Sequence, residues 1–101
     1  MENNLELVVS ELAMEDLENI FKYISLNLDN PFAAEKLIED FYISFEKIKL
    51  FPFSCPIKEI KFVKDKAIRV LIVDKYLAFY KVEKSKIVIL RVKHSTSDNL
   101  V

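Results

Sequence analysis

Three β-rich runs follow one another in the last third of the chain, and this order constrains the fold more than any other feature. The sequence from Ala67 to Asp98 reads AIRVLIVDKYLAFYKVEKSKIVILRVKHSTSD. Its β-branched, aliphatic and aromatic residues predict strands at about 67–73, 76–82 and 87–93. Because only a few residues separate the runs, we expect consecutive strands to pair antiparallel.

The first half of the chain predicts a short strand and a helical hairpin. Leu5 to Val9 has strand character, Ser10 is a candidate N-cap, and Asn30 followed by Pro31 is typical of a second helix start. Two apolar stripes recur at helical spacing: Ala13, Met14, Leu17, Ile20, Phe21, Ile24 and Leu28 in the first helix, and Ala34, Leu37, Ile38, Phe41, Phe45 and Ile48 in the second. The predicted fold class is α+β, with the strand and helical hairpin packed on a twisted, mainly antiparallel β-sheet.

Length and composition indicate a single domain over residues 1–101 with a packed core. Half of the residues are hydrophobic, so a core can form without metal or disulfide support. The only cysteine, Cys55, has no partner for a disulfide, and one histidine with no cysteine pair offers no metal-ligand pattern. No apolar leader or membrane-length run is present in the sequence. We therefore expect a soluble, cytoplasmic protein with no cofactor, no metal and no membrane contact.

Charge is distributed unevenly along the chain. Residues 1–50 hold eleven Asp and Glu against four Lys and Arg, a balance of −7, whereas residues 51–101 hold five against eleven, a balance of +6. A cationic half can attract an anionic partner, although acidic helices and basic strands can equally attract each other. The total of −1 argues against broad nucleic-acid binding.

The absence of glycine bears on the first hairpin of the sheet. A two-residue loop at Asp74 and Lys75 needs positive φ, which only Asp74 adopts at low cost, and it would place Arg69 on the face of Tyr80. A three-residue loop would instead place Arg69 with Leu77, Phe79 and Arg91. The missing glycine favours the longer loop.

Arg69, Arg91 and His94 are the candidate functional side chains of the predicted sheet. Each arginine lies in an apolar run, where it either pairs with a helix carboxylate such as Asp16 or Glu39 or clamps an acidic group of a partner. His94 could act as a general acid or base. A partly buried histidine that donates a hydrogen bond at the strand end is the favoured interpretation.

Other polar and aromatic groups have simpler interpretations. Tyr76, Phe79 and Tyr80 are interpreted as sheet core in preference to a base-stacking platform. Cys55 has no neighbouring histidine or fixed cation in the sequence, so we do not expect a reactive thiol. The lysines between the second helix and the sheet predict a solvated loop, with partner docking as a secondary interpretation: Lys58, Lys61, Lys64 and Lys66.

With these residues in hand, the chain resembles the RelE/ParE family of bacterial type II toxins, and it is closer to the ParE side. The residues that carry the resemblance are Asp16-Leu17, Ile20, Tyr23-Ile24, Asn30-Pro31, Ala33-Ala34, Leu50-Phe51-Pro52, Arg69-Val70-Leu71, Tyr76 to Tyr80, Arg91 to His94, and Asp98. RelE-type ribonucleases usually have an arginine where this chain has Leu77, and lysines where it has Ile68 and Val70. The chain also departs from the wider family at Cys55, which replaces a common glycine, and at Ser97, which replaces a common arginine.

The resemblance implies a toxin that binds a protein target, DNA gyrase, and that a cognate antitoxin neutralises in a hetero-oligomer. It implies a partner-binding set made up of Arg69, Tyr80, Arg91, Lys93, His94 and Asp98. The alternative is a RelE-like, ribosome-dependent endoribonuclease of messenger RNA, for which Arg69, Arg91 and His94 are the candidate catalytic residues. RNA cleavage needs a base, an acid and fixed positive charge, and the lost cations favour the binding toxin.

Overall fold

The computed structural model describes residues 5–58 and 67–96. Its elements, in chain order, are β1 (Glu6–Val9), α1 (Glu11–Lys22), a π-turn (Tyr23–Asn27), α2 (Pro31–Leu50), β2 (Arg69–Val73), β3 (Tyr76–Val82) and β4 (Lys86–His94). The four strands form one sheet in the order β1-β4-β3-β2, in which only the β1–β4 pair is parallel. The predicted α+β fold is confirmed, with a mixed sheet beside the two helices.

Both predicted helix starts are confirmed by their caps. The Ser10 hydroxyl accepts a hydrogen bond from the Ala13 backbone N–H at 3.1 Å. The Asn30 side-chain oxygen accepts from the Ala33 N–H at 3.2 Å, and Pro31 opens α2. These bonds satisfy backbone donors that have no partner within the helix.

The end of the first helix differs from the predicted periodicity. The Leu28 N–H donates to the Tyr23 carbonyl at 3.1 Å, a bond that spans five residues and widens the last turn. Asp29 then adopts φ 51°, which ends the helical path. Because the wider turn changes the phase of the stripe, Leu28 is 56% exposed, and the prediction that it packs in the apolar stripe is wrong.

The main core lies between the helices and one face of the sheet. Four residues of α2 are buried there, as predicted from their spacing: Leu37, Phe41, Phe45 and Ile48. Ala34, predicted in the same stripe, is buried as well. The sheet contributes Val73, Ala78, Tyr80, Ile87, Ile89 and Val92. Phe79 lies in a smaller cluster with Ile68 and Val70. The interpretation of the aromatic cluster as sheet core is therefore confirmed for Phe79 and Tyr80, while Tyr76 is half-buried.

The β2–β3 hairpin has the shorter of the two loops that the sequence allows. Val73 pairs with Tyr76 and Arg69 pairs with Tyr80, so the loop is Asp74 and Lys75. The prediction of a three-residue loop is wrong because Asp74 adopts φ 55°, which aspartate tolerates better than most residues and which makes glycine unnecessary.

A β-bulge interrupts the β3–β4 pair. Phe79 pairs with Arg91, but its neighbour Tyr80 pairs with Ile89, so Leu90 is the extra residue. The bulge lets Ile89 and Val92, three positions apart, both enter the main core. Nothing in the sequence indicated this bulge. Within the described part of the chain, no helix is both long and apolar enough to cross a membrane.

Candidate functional site

The three candidate catalytic residues lie at separate places on the sheet. Arg69 on β2 pairs with Tyr80 of β3, and His94 on β4 pairs with Tyr76 of β3. Tyr76 and Tyr80 are four residues apart on β3. At about 3.4 Å per residue this separation is about 14 Å along β3. Arg69 and His94 also lie on strands at opposite sides of β3, which adds about 10 Å. They cannot act on one reacting bond.

Arg91 is bound to the first helix. Its Nε and Nη2 donate to the two carboxylate oxygens of Asp16 at 2.8 and 3.0 Å, and the same carboxylate accepts the Val92 backbone N–H at 2.9 Å. The hydrogen bond with Asp16 raises the pKa of Arg91, which remains a cation. Pairing with β1 ends at Ile89, so Asp16 covers the part of the β4 edge that β1 leaves open. The helix-carboxylate alternative is the correct one for Arg91.

Arg69 has neutral partners. Its Nη1 donates to the carbonyls of Cys55 at 2.6 Å and Phe53 at 3.4 Å, and its guanidinium carbon lies 5.0 Å from the centre of the Phe53 ring. No carboxylate in residues 5–58 and 67–96 forms an ion pair with it. Neither sequence alternative for Arg69 describes this arrangement, in which the side chain holds a turn and retains its net charge.

Tyr80 is fully buried beneath the same turn. Its hydroxyl donates to the Pro52 carbonyl at 2.8 Å. Burial, followed by interaction with the Cys55 side chain, raises the pKa of Tyr80 above its ordinary value of 10.0. The placement of Tyr80 in the partner-binding set does not fit this burial, because the side chain has no surface with which to contact a partner.

The turn that Arg69 and Tyr80 hold is an exposed aromatic surface, and we call residues 51–57 the aromatic turn. Phe51 and Phe53 are each 66% exposed and Ile57 is 54% exposed. The Ser54 N–H and hydroxyl both donate to the Phe51 carbonyl, at 3.1 and 2.7 Å. The sequence analysis used Leu50-Phe51-Pro52 to support the family resemblance and did not predict an exposed surface here. The signal that could have found it is two phenylalanines flanking Pro52 where no apolar periodicity accounts for them.

Lys93 and His94 lie in an open cleft of about 880 Å³ between the π-turn, the start of α2 and the ends of β3 and β4, here called the His94 cleft. Its lining is Asp16, Asn19, Ile20, Tyr23, Ile24, Leu28, Asn30, Ala33, Leu37, Asp74, Lys75, Tyr76, Val92, Lys93, His94 and Thr96. Its lining combines apolar side chains with charged ones of both signs: Lys75 and Lys93, and Asp16 and Asp74. Because Arg91 balances the charge of Asp16, the two lysines outnumber the remaining carboxylate of Asp74, and the cleft can accommodate an apolar segment that also carries negative charge.

Thr96 orients the His94 ring in this cleft. Its backbone N–H donates to Nδ1 of His94 at 3.1 Å, and its hydroxyl oxygen lies 2.7 Å from the same nitrogen. The ring meets the Tyr76 ring edge-on, with centroids 5.1 Å apart. His94 is exposed, so the prediction of a partly buried histidine is wrong.

Several predicted residues cannot be placed. Lys61, Lys64, Lys66, Ser97 and Asp98 lie outside the described residues. Among the residues that are described, no group of three or more His, Cys, Asp and Glu side chains is arranged to hold a metal ion.

Comparisons with known proteins agree with this architecture. A family model described as the ParE toxin of the type II toxin–antitoxin system parDE matches residues 7–99. No curated protein matches the sequence. A solved structure described as a chromosomal ParDE toxin–antitoxin system from P. aeruginosa superposes with a TM-score of 0.69 at 20% identity, over 92% of this chain and 98% of that one. A conserved hypothetical protein from Helicobacter pylori matches with a TM-score of 0.44 at 18% identity, over 92% and 97% of the two chains.

Proposed function

We propose, since this chain belongs to the ParE toxin family of type II toxin–antitoxin systems, that it arrests growth by binding a protein target and does not cleave RNA. The family implies DNA gyrase as that target and a cognate antitoxin as the neutralising partner. The chain is the toxin component of such a system, so both partners are macromolecules that it must bind in turn.

The separation of the candidate catalytic residues carries the proposal. Cleavage of RNA needs a base, an acid and fixed positive charge around one phosphate. In this chain Arg91 is neutralised by Asp16, Arg69 is held by the carbonyls of a turn, and His94 lies at the far end of the sheet from Arg69. Binding does not need these groups to converge.

The His94 cleft is the surface that we assign to the antitoxin. Its apolar wall, formed by Tyr23, Ile24 and Leu28, suits the apolar side chains of an extended or helical segment. Lys75 and Lys93 supply the charge that would meet carboxylates of that segment. The solved ParDE toxin–antitoxin system with the same fold supports an antitoxin as a partner.

Induced expression tests the toxin, and purified components test its target. We expect growth arrest on induction and rescue by co-expression of the product of the neighbouring gene. In vitro, the purified protein should inhibit DNA supercoiling by gyrase while cellular messages remain intact. Normal growth without that neighbouring gene would contradict the toxin function.

A second candidate function, the RelE-like endoribonuclease, is favoured by one observation. His94, Lys75 and Lys93 line the same cleft, so its lining combines an imidazole, the side chain most often used for general acid–base catalysis, with two cations. This function predicts site-specific cuts in translated messages that disappear in His94→Ala. Inhibited supercoiling beside intact messages would exclude it.

A further inference from the structure

We infer that the aromatic turn docks on the protein target of this toxin, with Phe51 and Phe53 entering an apolar pocket that is edged by carboxylates. The inference rests on the proposed function in one respect, namely that the toxin acts by binding a protein. It adds where on the toxin the target binds and what chemistry the target must present.

The exposure of the aromatic turn is the first observation. Phe51 and Phe53 are each 66% exposed and Ile57 is 54% exposed, so three large apolar side chains within seven residues face water. Single exposed apolar residues are common, but a cluster of this kind is typical of an interaction surface. Phenylalanine and arginine are both enriched at the centres of protein–protein interfaces, and Arg69 stacks on Phe53.

The rigidity of the turn is the second observation. Tyr80 donates to Pro52, Arg69 donates to Cys55, and the Val70 N–H donates to the Pro56 carbonyl at 3.0 Å. These hydrogen bonds connect the exposed turn to the buried sheet. A surface that is already held in one conformation loses little conformational entropy on binding, which is an advantage for a docking surface.

Charge around the turn indicates the chemistry of the partner. Arg69 retains its net charge because its partners are carbonyls, and Lys47 and Lys58 are exposed on either side of the turn in sequence. The carboxylate of Glu46 is paired with Lys49 at 3.6 Å. Glu83 and Lys84 line one cavity with Phe53, and Glu83 is paired with Lys81 and Lys86. Cations therefore outnumber carboxylates around the exposed phenylalanines, and a complementary surface carries Asp and Glu around an apolar pocket.

The shape of the two surfaces assigns the turn to the target and not to the antitoxin. Exposed rings on a rigid turn can insert into a preformed pocket of a folded protein. The His94 cleft is concave and suits a segment that adapts to it. The hairpin tip that lines this cleft lies at the opposite end of β2 from Arg69, which holds the turn. Target and antitoxin thus have separate principal contacts on this chain.

The test is the double variant Phe51→Ser with Phe53→Ser, compared with Phe32→Ser as a matched control. Phe32 is 85% exposed at the start of α2, away from the turn. We expect the double variant to lose at least about tenfold in inhibition of gyrase supercoiling, equivalent to about 1.4 kcal/mol of binding free energy. Its growth arrest should be lost as well, while Phe32→Ser stays within about twofold of wild type. Binding to the product of the neighbouring gene, measured by calorimetry, should be unchanged in the double variant.

A charge variant keeps the inference testable if the double variant does not fold. Lys58→Glu reverses an exposed charge beside the turn and should reduce inhibition of supercoiling about threefold or more, because it repels the carboxylates of the target. Full inhibition by the folded double variant, or by Lys58→Glu, would overturn the inference. Loss of antitoxin binding in parallel with loss of inhibition would also overturn it, since the turn would then serve the antitoxin.

The same experiment separates this inference from the proposed function. If the wild-type protein does not arrest growth, the proposed function fails before any variant is compared. If it arrests growth without inhibiting gyrase, and the arrest still depends on Phe51 and Phe53, the docking surface stands and gyrase as the target fails.

Discussion

Two arginines of the same sheet have opposite surroundings. Arg91 lies at the contact between β4 and α1, where the Asp16 carboxylate binds it through two hydrogen bonds. Arg69 lies beside the aromatic turn, where it meets two carbonyls and the Phe53 ring. The guanidinium of Arg91 connects a helix to a strand, and a carboxylate balances its charge. The guanidinium of Arg69 organises a turn, and no carboxylate of the described residues balances its charge.

The difference between the two arginines bears on the uneven charge of the chain, whose first half is acidic and whose second half is basic. At Asp16 and Arg91 the acidic helices and the basic sheet do attract each other, so one of the two interpretations of the asymmetry holds locally. Arg69 and the lysines of the His94 cleft form no such pair with a helix carboxylate within residues 5–58 and 67–96. Their charge remains available to an anionic partner, as the other interpretation expects.

Asp16→Ala should have the largest effect and would break the helix–strand contact. The change removes three hydrogen bonds and leaves the Val92 N–H, on the open edge of β4, without its partner. Arg91 is partly exposed, so water compensates for part of the loss, and we expect the free energy of unfolding to fall by about 2–3 kcal/mol. Urea denaturation measures this change in the free energy of unfolding. Glu39→Ala, on the exposed side of α2, is the control and should change stability by less than about 0.5 kcal/mol.

Tyr80→Phe should have the next largest effect and would test how firmly the aromatic turn is held. Removal of the buried hydroxyl leaves the Pro52 carbonyl without its donor, which lowers the free energy of unfolding by about 1–2 kcal/mol. Tyr42→Phe is a suitable control, since the exposed Tyr42 hydroxyl contacts only the Met14 sulfur at 3.7 Å among the described hydrogen bonds. Equal stability of the two variants would show that the bond to Pro52 contributes little.

Arg69→Ala should destabilise less than Asp16→Ala, which is the direct comparison of the two arginine environments. The hydrogen bonds to Cys55 and Phe53 join a cation to neutral carbonyls near the surface, so we expect a loss of about 1 kcal/mol. Arg69→Lys keeps the positive charge but loses the forked geometry of the guanidinium over the Phe53 ring. Compared with Arg69→Ala, it should therefore restore inhibition of the target more than it restores the free energy of unfolding. A larger loss in Arg69→Ala than in Asp16→Ala would contradict the comparison.

The smallest effect is on pH dependence and appears only in alkali. Burial raises the pKa of Tyr80 above 10.0, so above that pH the folded state holds a proton that the unfolded state releases. This contribution is fully present below pH 10 and is lost as the pH rises toward the folded-state pKa. The midpoint temperature of thermal unfolding should fall less steeply between pH 8 and pH 12 for Tyr80→Phe than for the wild type. A residual decline is expected because burial also raises the pKa of Tyr76.

Much of the fold could be predicted because its signals are local. Ser10 and Asn30 cap helices through bonds to residues three positions ahead, and the apolar stripe of α2 repeats within each turn. The loop at Asp74 was predicted wrongly on a local argument, since the rule that favours glycine is weaker than the tolerance of aspartate for positive φ. The parallel pairing of β1 with β4 had no signal in the sequence.

The candidate site could be predicted only in part. The family resemblance placed Lys93 and His94 in one partner-binding set, and the structure keeps them in one cleft. The resemblance placed Arg69, Arg91 and Tyr80 in the same set, but burial and neighbouring groups give each of them a different role. The aromatic turn was missed because exposure of Phe51 and Phe53 depends on what the rest of the chain leaves uncovered.

The amino-acid sequence by itself determined the order of helices and strands, the helix starts and the division of charge, because each depends on residues a few positions apart. Only the tertiary structure decided which group each arginine meets, since Arg69 and Cys55 are 14 positions apart and Arg91 and Asp16 are 75 apart. It also decided the burial of Tyr80 against Pro52, across 28 positions. Contacts at such separations form only when the helices pack on the sheet, so the surface left for partners is a property of the packed molecule.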